Sequence, residues 1–125
     1  MASKLEKRSN AMLVSAEDGI PLTFAMIGLA KISGFNWDAG NARKSEDKHG
    51  VSMAEAEKMF FNTPLPILED AAHSAQEIRI HAFGKTDEGR ALHITFTLRK
   101  AGTLIRVISA RDMHRKERAI YDQAS

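Results

Sequence analysis

The chain of 125 residues contains no cysteine, which excludes disulfide frameworks and thiolate metal sites and fits a reducing cytoplasm. Aromatic residues make up 6% of it, too few for the stacking platforms that hold single-stranded bases. Long apolar runs are missing as well. The longest uncharged stretch, residues 19–30, is too short to span a bilayer. Glu17 and Asp18 separate that stretch from Lys4, Lys7 and Arg8, which is not the form of a secretory signal. These features predict a cytoplasmic protein with no membrane association. The five histidines are scattered, with no HExxH, no paired-carboxylate cluster and no glycine-rich loop after a strand. Metal hydrolases, nucleotidases and dinucleotide enzymes are disfavoured, and neither a cofactor nor a metal is expected.

Net charge is only +2, so attraction to a polyanion depends on where the charge sits. Acids prevail early: Asp38, Glu46, Asp47, Glu55, Glu57, Glu69 and Asp70 against Arg43, Lys44, Lys48 and Lys58. From Arg99 to Arg118 the balance reverses, with Arg99, Lys100, Arg106, Arg111, Arg115, Lys116 and Arg118 against only Asp112 and Glu117. The hydrophobic fraction of 43% and charged fraction of 27% are those of one ordinary globular domain. Residues 1–30 carry no sustained period and are expected to be an N-terminal extension to a domain over residues 31–125.

Helices come first in that domain. Asp38 is placed to cap a short helix that Gly50 ends in the left-handed conformation. Ser52-Met53-Ala54-Glu55 matches a capping box, opening a helix whose buried residues are expected to be Met53, Ala56, Met59 and Phe60; Pro64 blocks its continuation. Four strand-like segments follow over residues 65–69, 77–83, 91–98 and 103–109, joined by short turns that demand antiparallel neighbours. Pro66 makes the first an edge strand. A helix beginning near Ala110 closes the chain. The fold class is thus α+β: N-terminal helices, a four-stranded antiparallel meander sheet and a C-terminal helix in two layers.

Three groups of residues bear chemistry. On the last helix Arg111, Arg115 and Arg118 share one stripe by their spacing, with Asp112 and Lys116 paired one turn apart. A solvated helix face would look the same, but a row of guanidiniums becomes favourable when a phosphate backbone lies along it. Glu117 falls on the apolar side of that helix and requires a cation, for which Arg106 or Arg79 is the choice. The polar sheet face gathers Glu77, Arg79, His81 and His93, an arrangement that an ordinary half-exposed sheet would also show. The third group is Lys48-His49-Gly50-Val51-Ser52, where His49 is either a proton acceptor or a partner of the helix dipole.

Taken in order, these elements resemble the BrnT family of bacterial type II toxins over about Phe35 to Asp122. They comprise Phe35-x-Trp37-Asp38 with Asn41 and Lys44, then Lys48-His49-Gly50-Val51-Ser52, Glu55-Ala56 and Phe60-Phe61. Leu68-Glu69-Asp70 with His73 follows, then Glu77-x-Arg79, Gly84 and Arg90. Ile105 to Arg111 with Arg115-x-x-Arg118 and Tyr121 complete the series. The resemblance implies a RelE-like fold and an endoribonuclease that arrests translation. It also implies a BrnA-type ribbon-helix-helix antitoxin, with operator DNA engaged only through the toxin–antitoxin complex.

Metal-independent RNA cleavage needs deprotonation of the 2′-OH, stabilisation of a pentavalent phosphate and protonation of the leaving 5′-oxygen. Arg79 and Arg111 are the choices for the phosphate, and Lys48, His49 and Glu69 for proton transfer. Arg106, Arg115, Arg118 and Tyr121 are the expected RNA-binding residues. A non-catalytic nucleic-acid-binding module, or a regulatory module that docks an acidic protein segment, is the alternative on the same residues.

Overall fold

The computed structural model describes residues 31–70 and 77–124. The expected N-terminal extension and His73 lie outside the described residues. The elements are β1 (Gly34–Phe35), α1 (Lys44–His49), α2 (Met53–Met59), β2 (Ile67–Asp70), β3 (Arg79–Lys85), β4 (Ala91–Arg99), β5 (Leu104–Asp112) and α3 (Arg115–Ala124).

Strict alternation over β4 sends Leu92, Ile94 and Phe96 to one face of the sheet and His93, Thr95 and Thr97 to the other. Strands β2 to β5 form the expected antiparallel meander, with β2 at the edge. A fifth strand, β1, pairs in parallel with β5 through Gly34–Leu104 and Phe35–Ile105, so the sheet is mixed and not purely antiparallel. Two residues give no readable period, so this strand carried no signal in the sequence.

Helices α1 and α2 cover the first face. Their packing residues Val51, Ala56, Met59 and Phe60 join Ile80, Ile94, Phe96, Ile105 and Val107 in the main core. Phe60 and Phe96 meet edge-on with centroids 5.2 Å apart, a favoured aromatic geometry. The capping box is present: Glu55 N–H donates to Ser52 Oγ and Ser52 N–H to Glu55 Oε1. Gly50 ends α1 at φ 68°, where an L side chain would be strained. Asp38 does not cap α1. Its carboxylate accepts from Gly40 N–H within a preceding turn, and the N-cap position of α1 is Arg43 with no side-chain cap. Met53, expected to be buried, is instead 41% exposed at the first position of α2, whose buried residues are Ala56 and Met59.

Helix α3 covers part of the second face, where Tyr121 and Met113 pack with Leu68, Phe83 and Ala91. The expected two layers are therefore three, with the sheet in the middle. Strand β5 also runs further than its apolar residues suggest, ending at Asp112. Arg111 is accordingly a strand residue, and the proposed helical stripe of Arg111, Arg115 and Arg118 does not exist.

Candidate functional site on the second sheet face

Arg111 reaches the second face through an irregularity. Thr97 pairs with Arg106 and Phe96 with Val107, but Thr95 pairs with Ser109, so Ile108 is an extra residue in β5. One inserted residue reverses which side chains face which way. Without it Arg111 would point into the main core; with it, Arg111 stands across from His93.

The same face carries His81 and Arg79 on β3, Asp70 on β2, and Thr95 and His93 on β4. A continuous polar string results. His81 Nε2 lies 2.9 Å from Asp70 Oδ2, and His81 Nδ1 lies 2.8 Å from His93 Nε2 and 3.0 Å from Thr95 Oγ1. His93 Nδ1 is 2.9 Å from Glu117 Oε2, close but bent out of line for a good hydrogen bond. Arg111 Nη1 and Nη2 donate to Glu117 Oε1 and Oε2 at 2.8 and 2.7 Å, and His114 N–H donates to Oε1 at 2.7 Å. Glu117 thus anchors both the guanidinium and the first turn of α3.

Burial of His93 disfavours its charged form. The Glu117 carboxylate opposes this, while His81 and Arg111 add to it, and the net position is about 4. Burial alone would raise the Glu117 carboxyl. The Arg111 guanidinium, the His114 amide and the charges of His93 and Arg111 outweigh it and hold the group at about 2.

Four arginines project from this face, Arg79, Arg99, Arg106 and Arg111. Arg111 pairs with Glu117, Arg99 with Glu77, and Arg106 with Asp38 by two hydrogen bonds of 3.0 and 3.1 Å. The cation for Glu117 is therefore Arg111, because the bulge re-aims it, and Arg106 is committed elsewhere. The fourth, Arg79, is half-buried two residues from His81. Arg111 also donates from Nη1 to the Asp112 carbonyl, leaving its Nε–H and a second Nη2–H without a hydrogen-bond partner among the described residues. Those donors can take an anionic oxygen.

The other expected residues fall elsewhere. Lys48 and His49 end α1, in the layer over the first face, where the His49 carbonyl accepts from Arg90. Arg90 also holds the Gly50 carbonyl, Glu55 and Asp112, so Asp112 pairs with Arg90 and not with Lys116. Glu69 is exposed and alternates to the first-face side of edge strand β2, opposite in sense to Asp70. Arg115 and Arg118 are exposed on α3, whereas Tyr121 is buried at 7% exposure, with Lys85 Nζ 5.2 Å from its ring centroid. The structure thus places Arg79 and Arg111 on the same sheet face, on β3 and β5 with β4 between them, and leaves Lys48, His49 and Glu69 off that face.

Residues 37–117 match the profile of a family described as the ribonuclease toxin, BrnT, of type II toxin–antitoxin systems. The chain belongs to the BrnT family. Curated proteins include no match to it. Membership makes it a ribonuclease toxin by family and implies an antitoxin partner. The whole polar string from Asp70 to Glu117 lies inside the matched span, and Glu117 is its last residue. Among the described residues no helix is long and apolar enough to cross a membrane.

Sequence reasoning grouped His81 and His93 on one face but assigned them no role. Thr95, Asp70 and Glu117 were not seen as their partners. Alternation around the Asp87–Gly89 turn was the available signal for the histidines. The bulge, which completes the string, leaves no such trace.

Proposed function

We propose that this BrnT-family chain cleaves RNA on the second sheet face, without a metal ion, and arrests translation by doing so. The observation that carries this reading is that Arg79 and Arg111 share one sheet face, on either side of the contacting pair His81 and His93. Two guanidiniums flanking a proton-bearing cluster supply phosphate stabilisation and proton transfer within one patch. Arg79 and Arg111 stabilise the pentavalent phosphate. Arg106, loosened from Asp38, and the exposed Arg115 and Arg118 hold the RNA backbone. Proton transfer belongs to groups on this face in preference to Lys48, His49 or Glu69, which stand in or toward the other layer.

The arrangement is RelE-like in that cationic side chains on a sheet face do the work. A BrnA-type ribbon-helix-helix antitoxin would neutralise the toxin by laying an acidic segment over the arginines, and operator DNA would be engaged only through that complex. Purified chain incubated with RNA and EDTA should yield fragments ending in 2′,3′-cyclic phosphate. Arg79→Ala and Arg111→Ala should each lower the rate by about 100-fold or more, as removal of a transition-state donor does, and relieve growth arrest. Intact RNA under arresting conditions, or full toxicity of both variants, would refute the reading.

A further inference from the structure

The contacts along Asp70, His81, His93 and Glu117 dictate how many protons the histidine pair holds. Three gaps lie in the string: Asp70 Oδ2 to His81 Nε2 at 2.9 Å, His81 Nδ1 to His93 Nε2 at 2.8 Å, and His93 Nδ1 to Glu117 Oε2 at 2.9 Å. The first two gaps are hydrogen bonds and need one hydrogen each, because a carboxylate oxygen or a bare ring nitrogen only accepts. The third is bent, but a bare Nδ1 would still set its lone pair against the Glu117 carboxylate at 2.9 Å, and a hydrogen on Nδ1 relieves that repulsion. Two neutral imidazoles bring one hydrogen each. One gap would then set lone pair against lone pair below 3 Å, in a place where little water reaches. A single additional proton fills every gap. A second would put two hydrogens into the central gap and drive the rings apart. His93, shielded from solvent and facing both His81 and Arg111, is the ring that stays neutral.

We infer that His81 and His93 share one proton and that this proton, passed through the Thr95 hydroxyl, is the one that protonates the leaving 5′-oxygen of the RNA. The inference rests on the proposed cleavage at this face. Geometry supports the route. Both His81 nitrogens are occupied within the string, and Thr95 Oγ1, 3.0 Å from Nδ1 and half-buried, is the neighbour not held by a carboxylate. Arg79 stands one strand repeat from His81, about 7 Å along β3, so a phosphate held there is beside the outlet.

The step balances as follows. The 2′-oxygen attacks phosphorus and its proton goes to water. As the P–O5′ bond breaks, the Thr95 hydroxyl gives its proton to O5′ and takes one from His81 Nδ1. The products are a 2′,3′-cyclic phosphate and a 5′-OH, and the now neutral pair is reloaded from solvent. The groups facing the pair are Asp70 from β2, Arg79 from β3, Thr95 from β4, Arg111 from β5 and Glu117 from α3.

The test uses the full chain and an RNA whose scissile bridging oxygen is replaced by sulfur, a leaving group that needs no proton. Thr95→Val keeps the side-chain shape, and His81→Gln keeps a hydrogen-bonding group. Both should slow cleavage of ordinary RNA by about 100-fold or more, the usual contribution of a general acid, and cleave the sulfur-bridged RNA within about threefold of the parent chain. Arg111→Ala should be slow on both. Equal losses on the two substrates, or no loss on ordinary RNA, would overturn the proton route while leaving cleavage at this face standing. Full activity of Arg111→Ala on both would instead overturn the site. Imidazole nitrogen NMR of the folded chain gives a reading independent of turnover. One proton bound by the pair near neutral pH is expected, and two protons or none would contradict it.

Discussion

Replacing Glu117 by Gln probes the joint on which α3 and Arg111 both depend. The carboxylate accepts two hydrogen bonds from Arg111 and one from His114 N–H, and its side chain is only 16% exposed. Gln keeps the shape but offers an amide group to donors and leaves the Arg111 charge without its partner. Glu117 sits at about 2 in the fold against an ordinary value of 4.5. At ~1.4 kcal/mol for each factor of ten, that gap corresponds to roughly 3 kcal/mol of stabilisation at neutral pH. The contribution is fully present above 4.5, where both states are ionised. It is lost as pH falls toward 2, because the unfolded chain takes up the proton first. Urea titration should therefore show Glu117→Gln about 2–3 kcal/mol less stable than the parent at pH 7, with a melting temperature roughly 10–20 °C lower. At pH 2.5 the difference should shrink below about 1 kcal/mol. A difference under about 0.5 kcal/mol at pH 7, or one that does not change with pH, would refute the account of Glu117 as an ionised anchor.

Arg90→Ala should destabilise the fold by about 1–3 kcal/mol in the same assay, because it unties the Gly50 carbonyl, Glu55 and Asp112 together. Arg90→Lys should recover less than half of that loss, since an ammonium cannot span those partners as a planar fork does. Phe96→Ala, at a fully buried ring against Phe60, should cost about 3–5 kcal/mol in calorimetry and urea titration alike.

How much of this fold was legible follows from what each element needed. Gly50, the capping box and the alternation over β4 are local, and each was readable because its cause lies within a few residues of chain. The paired strand β1 was not. Its two residues are held by Ser33 N–H to the Thr103 carbonyl and Asn36 N–H to the Ile105 carbonyl, contacts between distant parts of the chain that leave no period. Asn41 tells the same story. Its buried amide donates to the carbonyls of Asn36 and Val107, stitching the loop before α1 to the sheet, yet an asparagine beside Asp38 and Gly40 reads only as turn chemistry.

Arg111 shows where local reading fails for the site. By sequence it belongs equally to a strand end or a helix start, and the cations at Arg115 and Arg118 favour the helix. The deciding event is the unpaired Ile108, which shifts β5 by one residue against β4 and carries Ser109 and Arg111 to the side of Thr95 and His93. That shift also explains why Glu117 belongs to Arg111 and not to Arg106. Arg106 precedes the bulge, lies toward β1 and is taken by Asn36 and Asp38. The basic run at the end of the chain is consequently divided by structure into parts with different constraints. Arg106 and Arg111 have positions fixed by strand pairing and by the carboxylates of Asp38 and Glu117. Arg115, Lys116 and Arg118 lie exposed on α3, where charge matters more than place. Mutations should respect that division. Arg111→Lys should lower cleavage nearly as much as Arg111→Ala, since it loses the fork that holds Glu117. Arg115→Lys and Arg118→Lys, preserving charge, should leave the rate within about twofold and the salt dependence of RNA binding unchanged.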